Sequence, residues 1–286
     1  MRDLPLPTLP LTQFAPFNDL RPAPVARRSL PPRAERHERV ASPRLDVAWA
    51  RSDSEVREAQ ALRYQVFANE MGARLSMPKG APAGHDIDMF DPFCEHLLVR
   101  AVEPDGQPGP VIGTYRVLTP AAAKRAGGLY SDTEFDLTRL RSLRGQMVEL
   151  GRSCVHPDHR SGGAIMALWG ALAEFMLRNG LDTMIGCASV SMRDGGHYAA
   201  SLWKQLEQTH LAAIEWQVRP RLPLPVEELL RPELIAEAPP LIKGYLRCGA
   251  RILGAPAWDP DFNTADLPMM MRIADLPARY KRHFME

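Results

Sequence analysis

An α/β fold is expected, a mixed sheet with helices on both faces in one domain, and three observations predict it. Two apolar runs of β character flank a pair of strong turn signals, the pattern of a hairpin. A strand–helix–strand–helix order follows, and a final strand pair closes the chain. At 286 residues, 45% of them hydrophobic, the chain can also bury a sizeable core.

The first 44 residues stand apart. They carry eight arginines against four acids, net +4, and nine prolines, so the remaining 242 residues sum to −3 within a total of +1. Little in them could enter a core, so a disordered, partly polyproline-like tail over 1–44 is expected. Its bland role is a solvated leader, its functional one a weak electrostatic tether to anionic lipid or to an acidic carrier protein.

Folded sequence is expected from Leu45, as a single domain over 45–286. Ser52-Asp53-Ser54-Glu55 has capping-box spacing, and Val56, Ala59, Leu62, Val66 and Phe67 then recur at helical intervals up to about Met71. The Gly/Pro-rich stretch 72–84 reads as a loop. Strands are expected at 96–99 and 111–118, joined through Pro104-Asp105-Gly106 and Pro108-Gly109-Pro110. Residues 120–145 read as short helical turns, 146–155 as a strand, and 157–163 as a turn. A helix over 164–179 is apolar nearly all round and so buried between layers, with Gly180 placed to end it. A strand over 181–188, a helix over 198–208, a proline-broken loop and a helix over 241–248 follow. Strands at 251–257 and 269–273 complete the expected sheet.

Composition excludes several classes. The longest apolar run, Ala164 to Leu177, is too short for a bilayer span and contains Glu174. No apolar stretch of secretory type opens the chain. With a net charge of +1 no global field recruits nucleic acid. Cys94, Cys154, Cys187 and Cys248 form no C-x-x-C pair, which suits reduced thiols in a cytoplasmic enzyme. Cys154, His156 and His159 are the nearest approach to a metal cluster, and no second set of ligands accompanies them, so no metal is expected.

The informative stretch is Glu149 to Cys187. A strand leads through Arg160-Ser161-Gly162-Gly163-Ala164 into the N-terminus of the apolar helix. Free N–H groups and the helix dipole make such a junction an anion site, with Arg160 and the Ser161 hydroxyl as added donors. A plain structural turn explains the glycines equally well, and neither a P-loop nor a dinucleotide fingerprint is present.

This arrangement resembles motif A of the GNAT acyltransferase superfamily, with Arg160-x-x-Gly163 in the family's R-x-x-G positions. The loop's last small position falls on Ile165, which suits a donor with a single phosphate, such as the phosphopantetheine arm of acyl carrier protein. Arg63-Tyr64-x-Val66-Phe67, Asp86-x-Asp88-x-Phe90-Asp91, Glu95-His96-Leu97-Leu98-Val99, Gly113-Thr114-Tyr115-Arg116 and Glu149-Leu150-Gly151-Arg152-Ser153 occur in that order. The set resembles the acyl-carrier-protein-dependent N-acyltransferases that make lyso-ornithine lipid, a family once labelled haemolysin-like. It is more distantly similar to acyl-homoserine lactone synthases. Residues 240–247 and 257–266 are similar to the ornithine-acylating branch. The resemblance implies a GNAT-like, mostly antiparallel central sheet whose middle strands splay apart.

It also implies roles. Attack of an amine on a thioester needs a neutral amine, alignment and a stabilised oxyanion. Glu149 is expected to accept the amine proton, its bland alternatives being a solvent-facing strand residue or a salt bridge to Arg152. A backbone N–H near Ser153 or Cys154 is expected to polarise the thioester carbonyl, whereas a Cys154 acyl-enzyme is disfavoured because no base accompanies it. Arg160, Ser161, Gly162, Gly163 and Ala164 would hold the donor phosphate. Arg152, Asp86, Asp88, Asp91, His96 and Arg116 are acceptor-site candidates. The three aspartates serve equally as an Asx-rich turn, and His96 as a core histidine. Arg63, Tyr64 and Phe67 are assigned to an acyl channel, although Phe67 at helical spacing is ordinarily core. Asp259, Asp261 and Asp266 enter the acceptor site by resemblance alone.

The expected activity is therefore transfer of a 3-hydroxyacyl chain from acyl carrier protein to the α-amine of L-ornithine, with no permanently bound cofactor. The alternatives are another acceptor (glycine, glutamine, lysine or S-adenosylmethionine) or a membrane-active lipid-binding protein. The location expected is cytoplasmic, with peripheral contact on the inner membrane face.

Overall fold

The structure is a computed structural model that describes residues 44–285. The tail expected over 1–44 lies outside the described residues apart from Arg44.

In chain order the elements begin with β1 (Leu45–Trp49) and α1 (Asp53–Tyr64), whose last turn widens into a π-helical segment, Gln65–Glu70. Then come β2 (Glu95–Val102), β3 (Pro108–Leu118), α2 (Pro120–Ala126), α3 (Ser131–Glu134), β4 (Phe135–Asp136) and β5 (Met147–Val155). The second half holds α4 (Gly163–Arg178), β6 (Thr183–Ser191), α5 (His197–His210), β7 (Arg219–Pro220), α6 (Val226–Leu229) and α7 (Pro240–Arg247). It closes with β8 (Arg251–Ile252), β9 (Ala257–Asp259), β10 (Thr264–Arg272) and α8 (Ala278–Met285).

Among the described residues the main sheet runs β1-β2-β3-β5-β6-β10-β8, with β9 also on β10. Its pairings are antiparallel except the central one, β5 with β6. Both faces are covered. On β2, Leu97 and Val99 pack with Leu168 and Leu172 of α4, while Leu98 points the other way, toward Ala59 and Leu62 of α1. Helix α5 packs Leu202 and Leu206 with Val190 and Leu267. A mixed, mostly antiparallel sheet between helical layers is thus the observed architecture.

Local chemistry explains most element ends. The Ser52 hydroxyl accepts from the Glu55 N–H at 3.3 Å, and the Glu55 carboxylate reaches back one residue beyond the usual box, to the Arg51 N–H at 2.6 Å. Gly180 takes φ +61° just past α4.

Three sequence expectations need correction, and one strand is added to them. Strand β1 carries no sequence mark of its own, because its five residues show no periodicity beyond a single alternation. Helix α4 buries Ala164, Leu168, Leu172 and Met176 fully but leaves its other sides half-covered, so its apolar circumference is not a fully enclosed one. The expected strand 251–257 is two short strands broken at Gly254, where any Cβ would overlap the Val218 carbonyl. Their partner β10 begins five residues earlier than expected, since Asp266 and Pro268 disguise a buried strand.

Candidate active site

The parallel ladder between β5 and β6 covers only Met147, Val148 and Glu149 against Thr183, Met184 and Ile185. Past that point β5 runs on to Val155 and β6 to Ser191 without pairing to one another. The gap is occupied by a cavity of about 690 Å³, walled from both faces of the sheet. Phe67, Phe90, Tyr130 and Phe262 contribute from the α1 and α3 side, and Ile165, Trp169, Ile242 and Tyr245 from the α4 and α7 side.

The strand beside this gap is irregular. Thr114 pairs with Cys154 and Arg116 with Gly151, so Arg152 and Ser153 together oppose Tyr115 in a β-bulge. Arg152 adopts φ +49°, a left-handed conformation that a β-carbon disfavours. It is held there by its surroundings. Its guanidinium lies 3.2 Å from Asp86 and from Asp88, 5.2 Å from the Tyr130 ring centroid and 4.6 Å from that of Phe262. The bulged residues Arg152 and Ser153 both border the cavity.

Behind the bulge lies a buried ion-pair network. Arg63 reaches Asp86 (2.9 Å) and Asp91 (2.6 Å), and Arg116 reaches Asp88 (2.6 Å) and Asp91 (3.0 Å). With Arg152 the set balances three cations against three carboxylates. Burial pushes the Asp91 carboxyl upward, but Arg63 and then Arg116 outweigh it and hold it well below the usual range. His96 donates its Nε2–H to the Asp91 carbonyl (3.2 Å), and burial lowers its pKa, which favours the neutral ring.

Glu149 lines the cavity and is 5% exposed. Its carboxylate accepts from the Tyr130 and Ser131 N–H groups, both at 2.6 Å, and from the Ser131 hydroxyl. Burial raises its pKa, with those hydrogen bonds opposing. Further along the same side, Asp259 and Asp266 wall the cavity, with Glu134 close enough to feel their charge. Burial first, and Asp259 second, push Asp266 up to about 6; burial, then Asp266 and Asp259, push Glu134 up to about 7. This corner gathers three carboxylates, with Arg152 the cation that opposes them.

At the other end, Gly162 (φ +101°) precedes the first turn of α4. Arg160 and Gly162 border the cavity there. Arg160 is clamped to Glu70 by two contacts of 2.6 and 2.7 Å and donates to the Val155 carbonyl.

Around the cavity the structure thus gathers Glu149, Arg152, Ser153, Cys154, Arg160, Gly162, Phe67 and Arg116. Ser161, Gly163 and Ala164 sit on the adjoining turn without bordering it. Other sequence candidates lie elsewhere. Arg63 is wholly buried in the ion-pair network, Tyr64 is not among the cavity walls, and Asp86, Asp91 and His96 are enclosed behind Arg152 and Arg116. The buried members build the floor under the site and touch no open space. Burial pushes the Cys154 thiol up to about 12, so at neutral pH its sulfur is protonated and a poor nucleophile. Sequence reasoning missed Tyr130, Glu134, Trp169, Tyr115 and Tyr245. Tyr115 and Tyr245 each lay inside a motif, and nothing local marks either as facing a partner 130 residues away.

The fold and the site together define a GNAT-type acyltransferase, an enzyme that joins an acyl donor to an amine acceptor. The acetyltransferase (GNAT) domain family matches residues 62–170. The chain is 36% identical over 251 residues to an L-ornithine N(alpha)-acyltransferase of Rhizobium meliloti (strain 1021), covering 84% of each protein. It is 36% identical over 249 residues to one of Rhodobacter capsulatus, covering 83% of this chain and 92% of that protein. Among solved structures, FeeM, an N-acyl amino acid synthase from uncultured soil microbes, shares the fold with a TM-score of 0.50 at 12% identity, over 82% of this chain and 93% of that one. The chain belongs to the N-acyltransferase family of these two bacterial relatives.

Proposed function

We propose that the protein transfers a 3-hydroxyacyl chain from acyl carrier protein to the α-amine of L-ornithine, releasing lyso-ornithine lipid. The observation that carries this reading is the cavity passing through the sheet, with the bulge beside it and the Asp259–Asp266–Glu134 corner at one end. The family relatives supply the acceptor's name.

In this reading the pantetheine phosphate lies at Arg160, Ser161, Gly162, Gly163 and Ala164, where free N–H groups at the start of α4 favour an anion. The thioester carbonyl points at the N–H groups of Arg152–Cys154. The side-chain ammonium of ornithine sits against Asp259 and Asp266, and Arg152 faces its carboxylate. The α-ammonium first gives one proton to water or to Glu149. The neutral nitrogen then attacks the carbonyl carbon, the C–S bond breaks, and the second nitrogen proton passes by way of Glu149 to the departing sulfur. A dibasic acceptor fits the acid-rich corner better than glycine or glutamine, and lysine, one methylene longer, is the competitor. Among the described residues no helix is long and apolar enough to cross a membrane; peripheral contact on the inner membrane face follows from the chemistry of the product.

The test is purified full-length protein with 3-hydroxyacyl carrier protein and ornithine. Release of free carrier thiol, together with an amide-linked product in mass spectra, is expected. Absence of both, with acetyl-CoA and some other amine performing better, overturns the proposal.

A further inference from the structure

On the α4 and α7 side the cavity is apolar but for one feature. The Tyr115 hydroxyl on β3 is hydrogen-bonded to the Tyr245 hydroxyl on α7, and both side chains wall the cavity. The Tyr245 ring stacks on Trp169 at 5.4 Å, and Gly244 lets Trp169 lie directly on the α7 backbone, since a Cβ there would overlap its ring. The Ser153 hydroxyl, on the bulge, acts on the Tyr115 hydroxyl as a hydrogen-bonding neighbour.

Proton counting shows what the pair lacks. Two tyrosine hydroxyls bonded to each other use one O–H and leave the second to donate elsewhere. Ser153 is the only other polar neighbour either hydroxyl has among the described residues, and it brings its own proton. Three hydroxyls in a row thus always keep one donor unspent. In a chamber walled by Trp169, Ile165, Leu241 and Ile242 an unmet donor is costly, so the arrangement favours a ligand that brings an oxygen.

Position narrows which oxygen. Tyr115 stands opposite Arg152 and Ser153, the place where the thioester carbonyl is held in the proposed function, on which this step rests. An oxygen reaching the hydroxyl pair must be only two or three bonds along the chain from that carbonyl. We infer that the Tyr115–Tyr245 hydroxyl pair is the subsite that reads the 3-hydroxyl of the acyl donor, and so sets the preference for hydroxylated over plain chains. The two tyrosines are specificity residues in this role, with Ser153 completing the row.

The experiment compares kcat/KM for 3-hydroxyacyl and unsubstituted acyl carrier proteins of equal length, in the wild type and in Tyr245→Phe and Tyr115→Phe. The wild type is expected to favour the hydroxylated donor by about tenfold or more, the worth of a buried hydrogen bond, and the ratio to fall toward one in each variant. Damage to the fold lowers both donors together and leaves the ratio standing. An unchanged ratio in both variants overturns the inference, and so does a wild type that treats the two donors alike. In either case transfer itself persists, so the proposed function survives. Transfer from neither donor is the separate failure of that function, and the subsite falls with it.

Discussion

Gly186 and Leu150 meet where β5 and β6 part: a Cβ on Gly186 would overlap the Leu150 carbonyl oxygen. The contact lies one residue beyond the last paired position, Glu149 with Ile185. Glycine lets the two backbones stay close at the apex and diverge beyond it. In Gly186→Ala the strands must separate earlier, shifting Glu149 and the bulge. A stability loss of about 1–3 kcal/mol is expected from overpacking at a fixed backbone, with activity falling further than stability. Thermal melts beside steady-state turnover measure both, and full activity in the alanine variant refutes the apex as a positioning device.

Glu149 accepts from every donor that the α3 turn offers it, so Glu149→Gln sets an amide N–H₂ against a backbone or hydroxyl donor. Turnover is expected to drop about 100-fold, as for a lost general base. The pH profile discriminates between roles. With a raised pKa, Glu149 loads its charge above the usual carboxylate range, and wild-type kcat/KM climbs across that interval. If the variant keeps the same acidic limb, the limb belongs to another group.

Asp266 and Glu134 titrate higher folded than unfolded. Their contribution is therefore favourable at low pH and is lost as pH rises from about 4 to about 7. Asp91, whose pKa is depressed, acts oppositely: its contribution is present above the unfolded value and lost in acid. Without substrate, stability is expected to decline between about pH 5 and 8. Asp266→Asn should recover up to about 3 kcal/mol of it at pH 8, the equivalent of roughly two pKa units, while weakening ornithine use strongly. Melting curves of wild type and variant across this range, with and without ornithine, provide the check; a flat wild-type curve refutes the acid-corner account.

Arg160 is half-exposed and spends two donors on Glu70. If it serves the donor phosphate it must leave that partner. Glu70→Gln is then expected to lower the KM for acyl carrier protein by up to about fivefold, the value of an exposed ion pair. Arg160→Ala should raise it by about tenfold, in keeping with a lost charged hydrogen bond. Movement of both in the same direction counts against a phosphate role for Arg160.

How much of this was legible in the sequence depended on how local each signal was. The β2–β3 hairpin, β5, α4 with Gly180, and the turn at Gly162 are written in neighbouring residues, and they emerge from periodicity and turn chemistry. Strand β10 is partly hidden because a buried carboxylate and a proline occupy its centre, against the usual strand composition. The acidic loop draws attention correctly as a charge cluster. Arg63 and Arg116 could be expected to meet it, and only the folded chain reveals that Arg152, drawn from β5, joins them in saturating it. The bulge leaves no local mark, since the left-handed position is occupied by arginine and not by the adjoining Gly151. The Tyr115–Tyr245 pair and the Glu134 corner arise from contacts across more than 100 residues, beyond the reach of any pattern.

Arg152 joins the enclosed salt-bridge cluster to the bend in β5, and this divides the pocket into a conservative half and a permissive one. Variation on that floor is punished twice, in foldability and in chemistry, because one side chain answers to both. In the proposed function the β9–β10 wall meets the acceptor. Across evolution, new nitrogen nucleophiles should therefore be admitted by rewriting residues 259–266, while the arginine–aspartate foundation passes unchanged from one acceptor specificity to the next.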